Sequence, residues 1–243
     1  MTMPTPDTTL LLLPGLMCDA DIWRDQRQVL ASGHRCIVPS YGDSSSITDM
    51  AHTTLAHVPE GRLAVAGHSM GGRVALEIAR LAPQRIERIA LLDTGLDPLA
   101  VGAAGVAERD QRYRLLQMAR EVGMRAMGRE WARGMVHPAR LDTPLFERIL
   151  DMIARSTPEH FAHQIEALLQ RPDARPAFSA LTCPVMLICG CQDDWSPLAR
   201  HEAMQALLPT ARLVPIEDSG HMAPMEQPDA VTAALIDWLA QPA

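Results

Sequence analysis

The most informative part of the sequence is Leu63-Ala64-Val65-Ala66-Gly67-His68-Ser69-Met70-Gly71. An apolar run of the strand type leads here into a Gly-x-Ser-x-Gly turn, and a helix-patterned stretch from Arg73 to Leu81 follows. This order predicts a strand, a sharp turn and a helix, with Ser69 strained at the apex and its hydroxyl exposed. Gly67 and Gly71 suit such a turn because a side chain at either position would collide with neighbouring backbone. An ordinary glycine-rich loop is the alternative, and it would leave the flanking strand and helix patterns unexplained.

Candidates for the two residues that would make Ser69 reactive occur later in the chain. A serine hydroxyl needs a histidine to accept its proton, and the histidine needs a carboxylate to hold its tautomer. His221 follows the apolar run Leu213–Ile216, and Asp193 follows the apolar run Val185–Cys189. Because sites on open parallel sheets gather at the carboxyl ends of strands, we expect the three side chains to lie together there.

Strand-like and helix-like patterns alternate through most of the chain. The strand-like runs are Thr9–Leu13, Arg35–Pro39, Arg62–Ala66, Ile86–Leu92, Val185–Cys189 and Arg212–Ile216. Helical patterns such as Ile47–His57 lie between most of these runs. This alternation predicts an α/β fold, with a mostly parallel sheet and helices on both faces. Between residues 96 and 178, four helical patterns follow one another without a strand: Val106–Met118, Gly123–Met135, Pro144–Arg155 and Pro158–Leu169. We interpret residues 96–178 as a helical cap inserted into a core formed by residues 1–95 and 179–243.

Four stretches carry a resemblance to a known family: Leu10-Leu11-Leu12-Leu13-Pro14-Gly15-Leu16, the serine turn, Gly190 to Pro197, and Gly220 to Pro228. The chain resembles the α/β-hydrolase superfamily, in its small cap-bearing serine esterase branch. The resemblance implies the α/β-hydrolase fold, with Ser69 as nucleophile, Asp193 as acid and His221 as base. It also implies an oxyanion hole formed by the backbone N–H groups of Leu16 and Met70, and a reaction that needs no cofactor.

The chain departs from the family pattern in the oxyanion loop. Many relatives have His-Gly where this chain has Pro14-Gly15. The N–H group of Leu16 can still point inward, but the hydrogen bonds that shape the loop must differ.

The acid has two rivals to Asp193. Asp194 is adjacent to it, and Asp93 follows the apolar run Ile89–Leu92. Some members of the superfamily carry their acid after that earlier strand, so the resemblance keeps Asp93 open. The spacing from Gly190 to the carboxylate favours Asp193.

Composition limits the class of partner and compartment. The formal net charge of −7 over 243 residues argues against a nucleic-acid partner. Five cysteines with no paired spacing are typical of a reducing compartment, and no apolar run is long enough to span a membrane. We therefore predict a cytoplasmic protein. The histidines lack the spacing of a metal motif, so we expect no metal site.

The cap contains an unusual basic stretch. Residues 109–133 hold seven arginines and three acidic residues. They form either a solvated helix face with intrahelical ion pairs or a basic approach that favours an anionic substrate or an acidic carrier protein. Among the aromatic residues, Trp23, Trp131 and Trp195 are candidates to line the substrate cleft, and Trp195 is favoured because it follows Asp193 by two positions.

The predicted function is hydrolysis of carboxylic esters through an acyl-enzyme on a Ser-His-Asp triad, that is, a carboxylesterase. Lactone hydrolysis, carbon–carbon bond hydrolysis and methyl ester cleavage on a carrier protein use the same triad and stay open. An alternative of another class is a ligand receptor on a hydrolase scaffold, which binds without turnover. The substrate, its acyl chain length and the oligomeric state do not follow from the sequence.

Overall fold

A six-stranded parallel sheet forms the centre of the computed structural model, which describes residues 8–242. Its strands are β1 (Thr9–Leu13), β2 (Arg35–Ile37), β3 (Leu63–His68), β4 (Ile86–Leu92), β5 (Val185–Gly190) and β6 (Arg212–Ile216). The spatial order is β2-β1-β3-β4-β5-β6, and every neighbouring pair is parallel. The six predicted strands are all present, and the predicted fold class is confirmed.

Burial along the strands explains why the sequence shows apolar runs and no alternation. Every residue of β1, β3 and β5 is buried, as expected for parallel strands covered on both faces. The edge strands β2 and β6 are partly exposed. Pro215 lies in β6, where a missing N–H group can be tolerated because the strand is at an edge.

Helices flank the sheet. They are α1 (Arg24–Leu30), α2 (Ile47–His57), α3 (Met70–Leu81), α9 (Leu198–Leu207), α10 (Ala223–Glu226) and α11 (Pro228–Leu239), and the intervening numbers belong to helices between β4 and β5. The helices pack in pairs, α2 against α3 and α1 against α11. Of the helices in residues 8–242, none combines the length and the apolar character needed to cross a bilayer.

Five helices follow one another between β4 and β5: α4 (Ala103–Val122), α5 (Met124–Ala132), α6 (Pro144–Ala154), α7 (Pro158–Leu169) and α8 (Arg175–Ser179). The four longer ones match the four helical patterns of the cap, whereas the five-residue α8 was not predicted. Helices α6 and α7 both begin with a threonine N-cap followed by proline, a combination that fixes a helix start. Their apolar faces, with Phe146 and Phe161 fully buried, join the core.

Candidate active site

Ser69 lies at the turn between β3 and α3 in a strained backbone conformation. Its φ of 53° and ψ of −117° fall outside the regions that non-glycine residues favour. A Cβ atom on Gly67 would collide with the carbonyl of Gly71, and one on Gly71 would collide with the carbonyl of Leu13. The N–H group of Ser69 donates to the carbonyl of Leu92 at 2.8 Å. The turn therefore has the geometry that the sequence predicts, with the hydroxyl held above the sheet edge.

Ser69, His221 and Asp193 form a continuous hydrogen-bonded chain. The Oγ atom of Ser69 lies 2.9 Å from Nε2 of His221, and Nδ1 of His221 lies 2.8 Å from Oδ2 of Asp193. The other oxygen of Asp193 accepts the N–H groups of Trp195 and Ser196 at 2.8 and 2.9 Å. Burial opposes ionisation of Asp193, but His221 and these two donors outweigh it and lower the pKa of the carboxyl. Asp193 is therefore suited to orient His221 as a carboxylate.

The two rival acids lie elsewhere. Asp194 is exposed. Asp93 is fully buried, and its Oδ1 accepts the N–H group of Gly190 at 2.9 Å, while Oδ2 lies 3.8 Å from Nε2 of His68. Burial and the neighbouring Asp193 raise the pKa of Asp93 well above its usual value. Neither residue hydrogen-bonds to His221, so only Asp193 stands where a triad acid is needed.

His68 supports the site from behind. Its ring is buried, and Nε2 donates to the backbone carbonyl of His221 at 2.7 Å. Burial lowers the pKa of His68 to about 3, so the ring is neutral at physiological pH. This agrees with the expectation that His68 packs behind the serine and does not act as a base.

The two backbone groups expected to form an oxyanion hole face the same cavity as Ser69. Leu16 and Met70 both line it. Within residues 8–242, neither of their N–H groups donates to an acceptor of the protein, so both are available to an oxygen in the cavity. These are the properties required of oxyanion donors.

Two hydrogen bonds hold the loop around Pro14-Gly15, where the chain departs from the His-Gly of many relatives. The hydroxyl of the buried Tyr41 donates to the carbonyl of Pro14 at 3.0 Å. The N–H group of Met17, which has a φ of 58°, donates to Oε1 of Gln164 in α7 at 2.9 Å. A side chain of α7 thus holds the loop that contains Leu16. Sequence reasoning missed Gln164 because no local motif connects two residues 147 positions apart.

The loop that carries His221 also forms hydrogen bonds with the segment between β4 and β5. The N–H group of His221 donates to the carbonyl of Met135 at 2.6 Å. The carboxylate of Glu226, buried in α10, accepts three backbone N–H groups, those of Gly220, Met222 and His137. In the sequence, Glu226 was only one residue of the stretch Gly220 to Pro228 that carries the family resemblance. The structure shows that its carboxylate holds three backbone N–H groups together.

A cavity of about 350 Å³ opens above the triad. Trp131 and Trp195 line it, and the ring of Trp195 packs 5.5 Å from the ring of His221. Trp195 therefore lies where the sequence predicts a wall of the cleft. Trp23 was expected there too, and the structure corrects this: Trp23 is fully buried in the core and is not among the lining residues. A tryptophan before a helix can face either way, and the sequence does not tell which.

Three arginines of the basic stretch form ion pairs in the part of the chain that the structure describes. Arg112 pairs within its own helix, α4, as the intrahelical interpretation predicts. Arg125 contacts both Glu147 and Asp151 of α6, and Arg129 contacts Glu147 at 2.8 Å, so these pairs join two helices. Arg125 and Arg129 are thereby largely neutralised by their neighbours.

One buried group of possible metal ligands occurs among the described residues, formed by Asp93, Cys189 and Asp193. Its atoms already have other partners. Asp193 binds His221, and the Cys189 thiol donates to the carbonyl of Ser196 at 3.3 Å. Burial also raises the pKa of the thiol far above its usual value, which disfavours the thiolate that a metal would require. The arrangement suits a packed support for the acid better than a metal centre.

Comparison with known proteins agrees with this geometry. Residues 10–234 match the Alpha/beta hydrolase family, and the chain belongs to that family. It is 26% identical to a pimeloyl-[acyl-carrier protein] methyl ester esterase of Nitrosomonas europaea, over 87% of this chain and 88% of that protein. It is 25% identical to a dihydrolipoyllysine-residue acetyltransferase component of the acetoin cleaving system of Pseudomonas putida, over 96% of this chain, which spans 63% of that relative's length.

A solved structure shows the same architecture. A thermophilic esterase from Thermogutta terrifontis, with malate bound, superposes with a TM-score of 0.84 at 29% identity. The match covers 96% of this chain and 89% of the esterase. The chain is therefore similar to esterases both in sequence and in fold.

Proposed function

We propose that this protein is a serine hydrolase that cleaves carboxylic esters through an acyl-enzyme. The observation that carries the proposal is the hydrogen-bonded chain from Ser69 through His221 to Asp193, with both links between 2.8 and 2.9 Å. The esterases among its relatives support the same reaction class. We assign Ser69 as nucleophile, His221 as general base and acid, and Asp193 as the residue that orients His221.

Each group has a defined step. The Oγ atom of Ser69 attacks the ester carbonyl carbon while Nε2 of His221 takes the hydroxyl proton. The tetrahedral intermediate then collapses, and His221 returns that proton to the leaving alcohol. Water attacks the acyl-enzyme in the same way, giving its proton to His221, and the acid product leaves with Ser69 regenerated. Asp193 holds the proton on Nδ1 of His221 throughout and stabilises the imidazolium that forms.

The N–H groups of Leu16 and Met70 are proposed to bind the oxyanion of each tetrahedral intermediate. By analogy with other oxyanion holes, one donor contributes about 3 kcal/mol to transition-state stabilisation. This role is supported by the finding that neither N–H group donates to a protein acceptor within residues 8–242.

The proposal also assigns different roles to two parts of the chain. We propose that residues 1–95 and 179–243 form the catalytic core and that residues 96–178 form the cap that covers the cleft. The bonds from Gln164 and Met135 to the two catalytic loops support a cap that shapes the site. We also propose a cytoplasmic location, supported by the five cysteines, all of which are free thiols.

Replacement of the serine tests the proposal. Ser69→Ala should reduce kcat for p-nitrophenyl acetate and butyrate by roughly 10⁶-fold, as in other triads, while leaving the unfolding midpoint close to that of the wild type. Ser45→Ala is the matched control, because Ser45 is exposed and lies outside the site. Residual turnover in Ser69→Ala above a tenth of the wild-type rate would contradict the mechanism. A ligand receptor would instead release at most one equivalent of p-nitrophenol per protein chain.

A further inference from the structure

Four arginines line the cavity that contains Ser69 and His221. Arg73 in α3 and Arg200 in α9 come from the core, while Arg112 in α4 and Arg171 after α7 come from the cap. Among the residues that line this cavity, all of which are described, Glu108 is the only carboxylate. Four positive charges against one negative charge give the lining a formal charge of +3.

The positive charge is unevenly compensated. Arg112 and Arg171 share Glu108, each with a contact of 2.8 Å. Arg73 and Arg200 have no carboxylate within ion-pair distance in residues 8–242. Their guanidinium groups donate to neutral acceptors: Arg73 to the carbonyl of Asp97 at 2.9 Å, and Arg200 to the carbonyl of Trp195 at 3.1 Å and the Ser196 hydroxyl at 3.4 Å.

The unpaired charges lie close to the nucleophile. Arg73 lies in the first turn of α3, which begins directly after Ser69, and both residues line the same cavity. Arg200 reaches the site across the backbone of Gly95, where an added Cβ atom would lie 2.8 Å from its Cδ. The absence of a side chain at position 95 therefore gives the Arg200 side chain its path.

The pKa of Arg73 shows that this arrangement is unfavourable for a positive charge. Burial and the neighbouring Arg171 and Arg200 lower the pKa of Arg73 to about 9, so it still carries its charge at neutral pH. Arg73 is half-buried, and a partly desolvated charge without an ion-pair partner is unfavourable, so an anion in the cavity would stabilise it. The guanidinium group presents a fork of N–H donors that matches a carboxylate.

We propose that Arg73, Arg112, Arg171 and Arg200 form an anion subsite, and that the substrates are esters bearing a free carboxylate, such as monoesters of dicarboxylic acids. This inference rests on the proposed ester hydrolysis and adds the class of substrate. Arg125 and Arg129 lie outside this subsite, because each is already paired with a carboxylate at the surface. Two of the arginines belong to the core and two to the cap, so a substrate carboxylate would contact both parts of the protein.

Matched pairs of substrates test the subsite. One member of each pair is the monomethyl ester of succinic, glutaric or adipic acid, and in the other a neutral carboxamide replaces the free carboxyl. In a pH-stat assay at low ionic strength, the wild type should favour the charged member of at least one pair by 10- to 100-fold in kcat/KM, the range of charge-assisted hydrogen bonds. Added salt should reduce this preference because it screens the charges.

Variants that should shift the charged-to-neutral ratio of kcat/KM in opposite directions distinguish an effect of charge from a folding defect. Arg73→Gln and Arg112→Gln should each lower the charged-to-neutral ratio of kcat/KM by roughly 10-fold or more. Glu108→Gln removes the competing carboxylate and should raise the ratio, an increase that a damaged fold would not produce. Arg114→Gln, an equal loss of charge on the exposed side of α4, should leave the ratio unchanged.

The possible outcomes distinguish this inference from the proposed function. Hydrolysis of both members of every pair at equal rates, or arginine variants with the wild-type ratio, would refute the subsite and leave ester hydrolysis intact. If the wild type hydrolyses none of the paired esters, the proposed function fails only where p-nitrophenyl acetate and butyrate are not hydrolysed either. Calorimetric binding of glutarate then decides on the subsite: affinity at least 10-fold higher for the wild type than for Arg73→Gln supports it, and equal affinity overturns it.

Discussion

Replacing Asp193 by asparagine should reverse the tautomer of His221. One oxygen of Asp193 is fixed by the N–H groups of Trp195 and Ser196, at 2.8 and 2.9 Å, and the other accepts from Nδ1 of His221. In Asp193→Asn, the amide oxygen keeps the two backbone donors, so the NH₂ group faces Nδ1. Two donors cannot face each other, and the proton of His221 moves to Nε2, where it blocks acceptance of the Ser69 proton.

The size of the effect follows from these bonds. Turning the amide around restores the tautomer but leaves two buried N–H groups without an acceptor, at about 1–3 kcal/mol each. The productive state therefore costs about 2–6 kcal/mol, which is a loss of about 30-fold to 10⁴-fold at 1.36 kcal/mol per tenfold. Loss of the carboxylate charge removes further stabilisation of the imidazolium. We expect a reduction of kcat near 10⁴-fold, similar to the known effect in a serine protease triad.

The assay compares wild type, Asp193→Asn and Asp93→Asn on p-nitrophenyl butyrate, with circular dichroism to verify folding. Asp93→Asn is the matched control because Asp93 is the rival acid after the neighbouring strand, equally buried, and makes no hydrogen bond to His221. It should retain at least a tenth of the wild-type kcat. A value of kcat for Asp193→Asn within tenfold of wild type would refute the reasoning, and a reversed pattern would move the role of the acid to Asp93.

Two further predictions concern the oxyanion loop and the dependence of stability on pH. Gln164→Met removes the acceptor of the buried Met17 N–H group, so kcat should fall by roughly tenfold and the free energy of unfolding by about 1–3 kcal/mol. Saturation kinetics and urea denaturation measure both, and an unchanged kcat would show that the loop holds its shape without this bond. Burial lowers the pKa of His201 to about 4, so the native state keeps it neutral while the unfolded chain binds a proton below about pH 6.5. The stability it contributes above pH 6.5 should therefore be lost as the pH falls towards 4, at up to about 1.4 kcal/mol per pH unit. Urea denaturation between pH 7 and 4.5 should show a shallower decline for His201→Gln than for the wild type, and parallel curves would contradict this.

Features that depend on neighbours in the sequence were predictable. The strand β1 and the helix α2 begin and end at the predicted residues, because apolar periodicity and the Ser46 cap are local signals. The turn at Ser69 was equally clear, since its glycines are required by contacts within a few residues. Helix ends were less accurate: α4 extends from Ala103 to Val122, beyond the predicted Val106–Met118, because its mostly exposed first and last turns carry no apolar periodicity.

Other features of the site depend on contacts between distant parts of the chain. Asp93 and Asp193 both follow buried strands, and only the packing of the loops brings Asp193 to His221 and leaves Asp93 beside His68. The same holds for Gln164, which reaches a loop 147 residues away.

The amino-acid sequence alone therefore determined the order of strands and helices and the strained turn at Ser69, because short-range sterics and hydrophobic periodicity encode them. Only tertiary packing decided which tryptophan lines the cleft and which arginines accompany it, and it placed Asp193, which the spacing already favoured, beside His221. The physical reason is that burial and charge compensation depend on every neighbour in space. Arg112 and Arg125 lie in the same basic stretch of sequence, yet one lines the cavity and the other forms ion pairs at the surface.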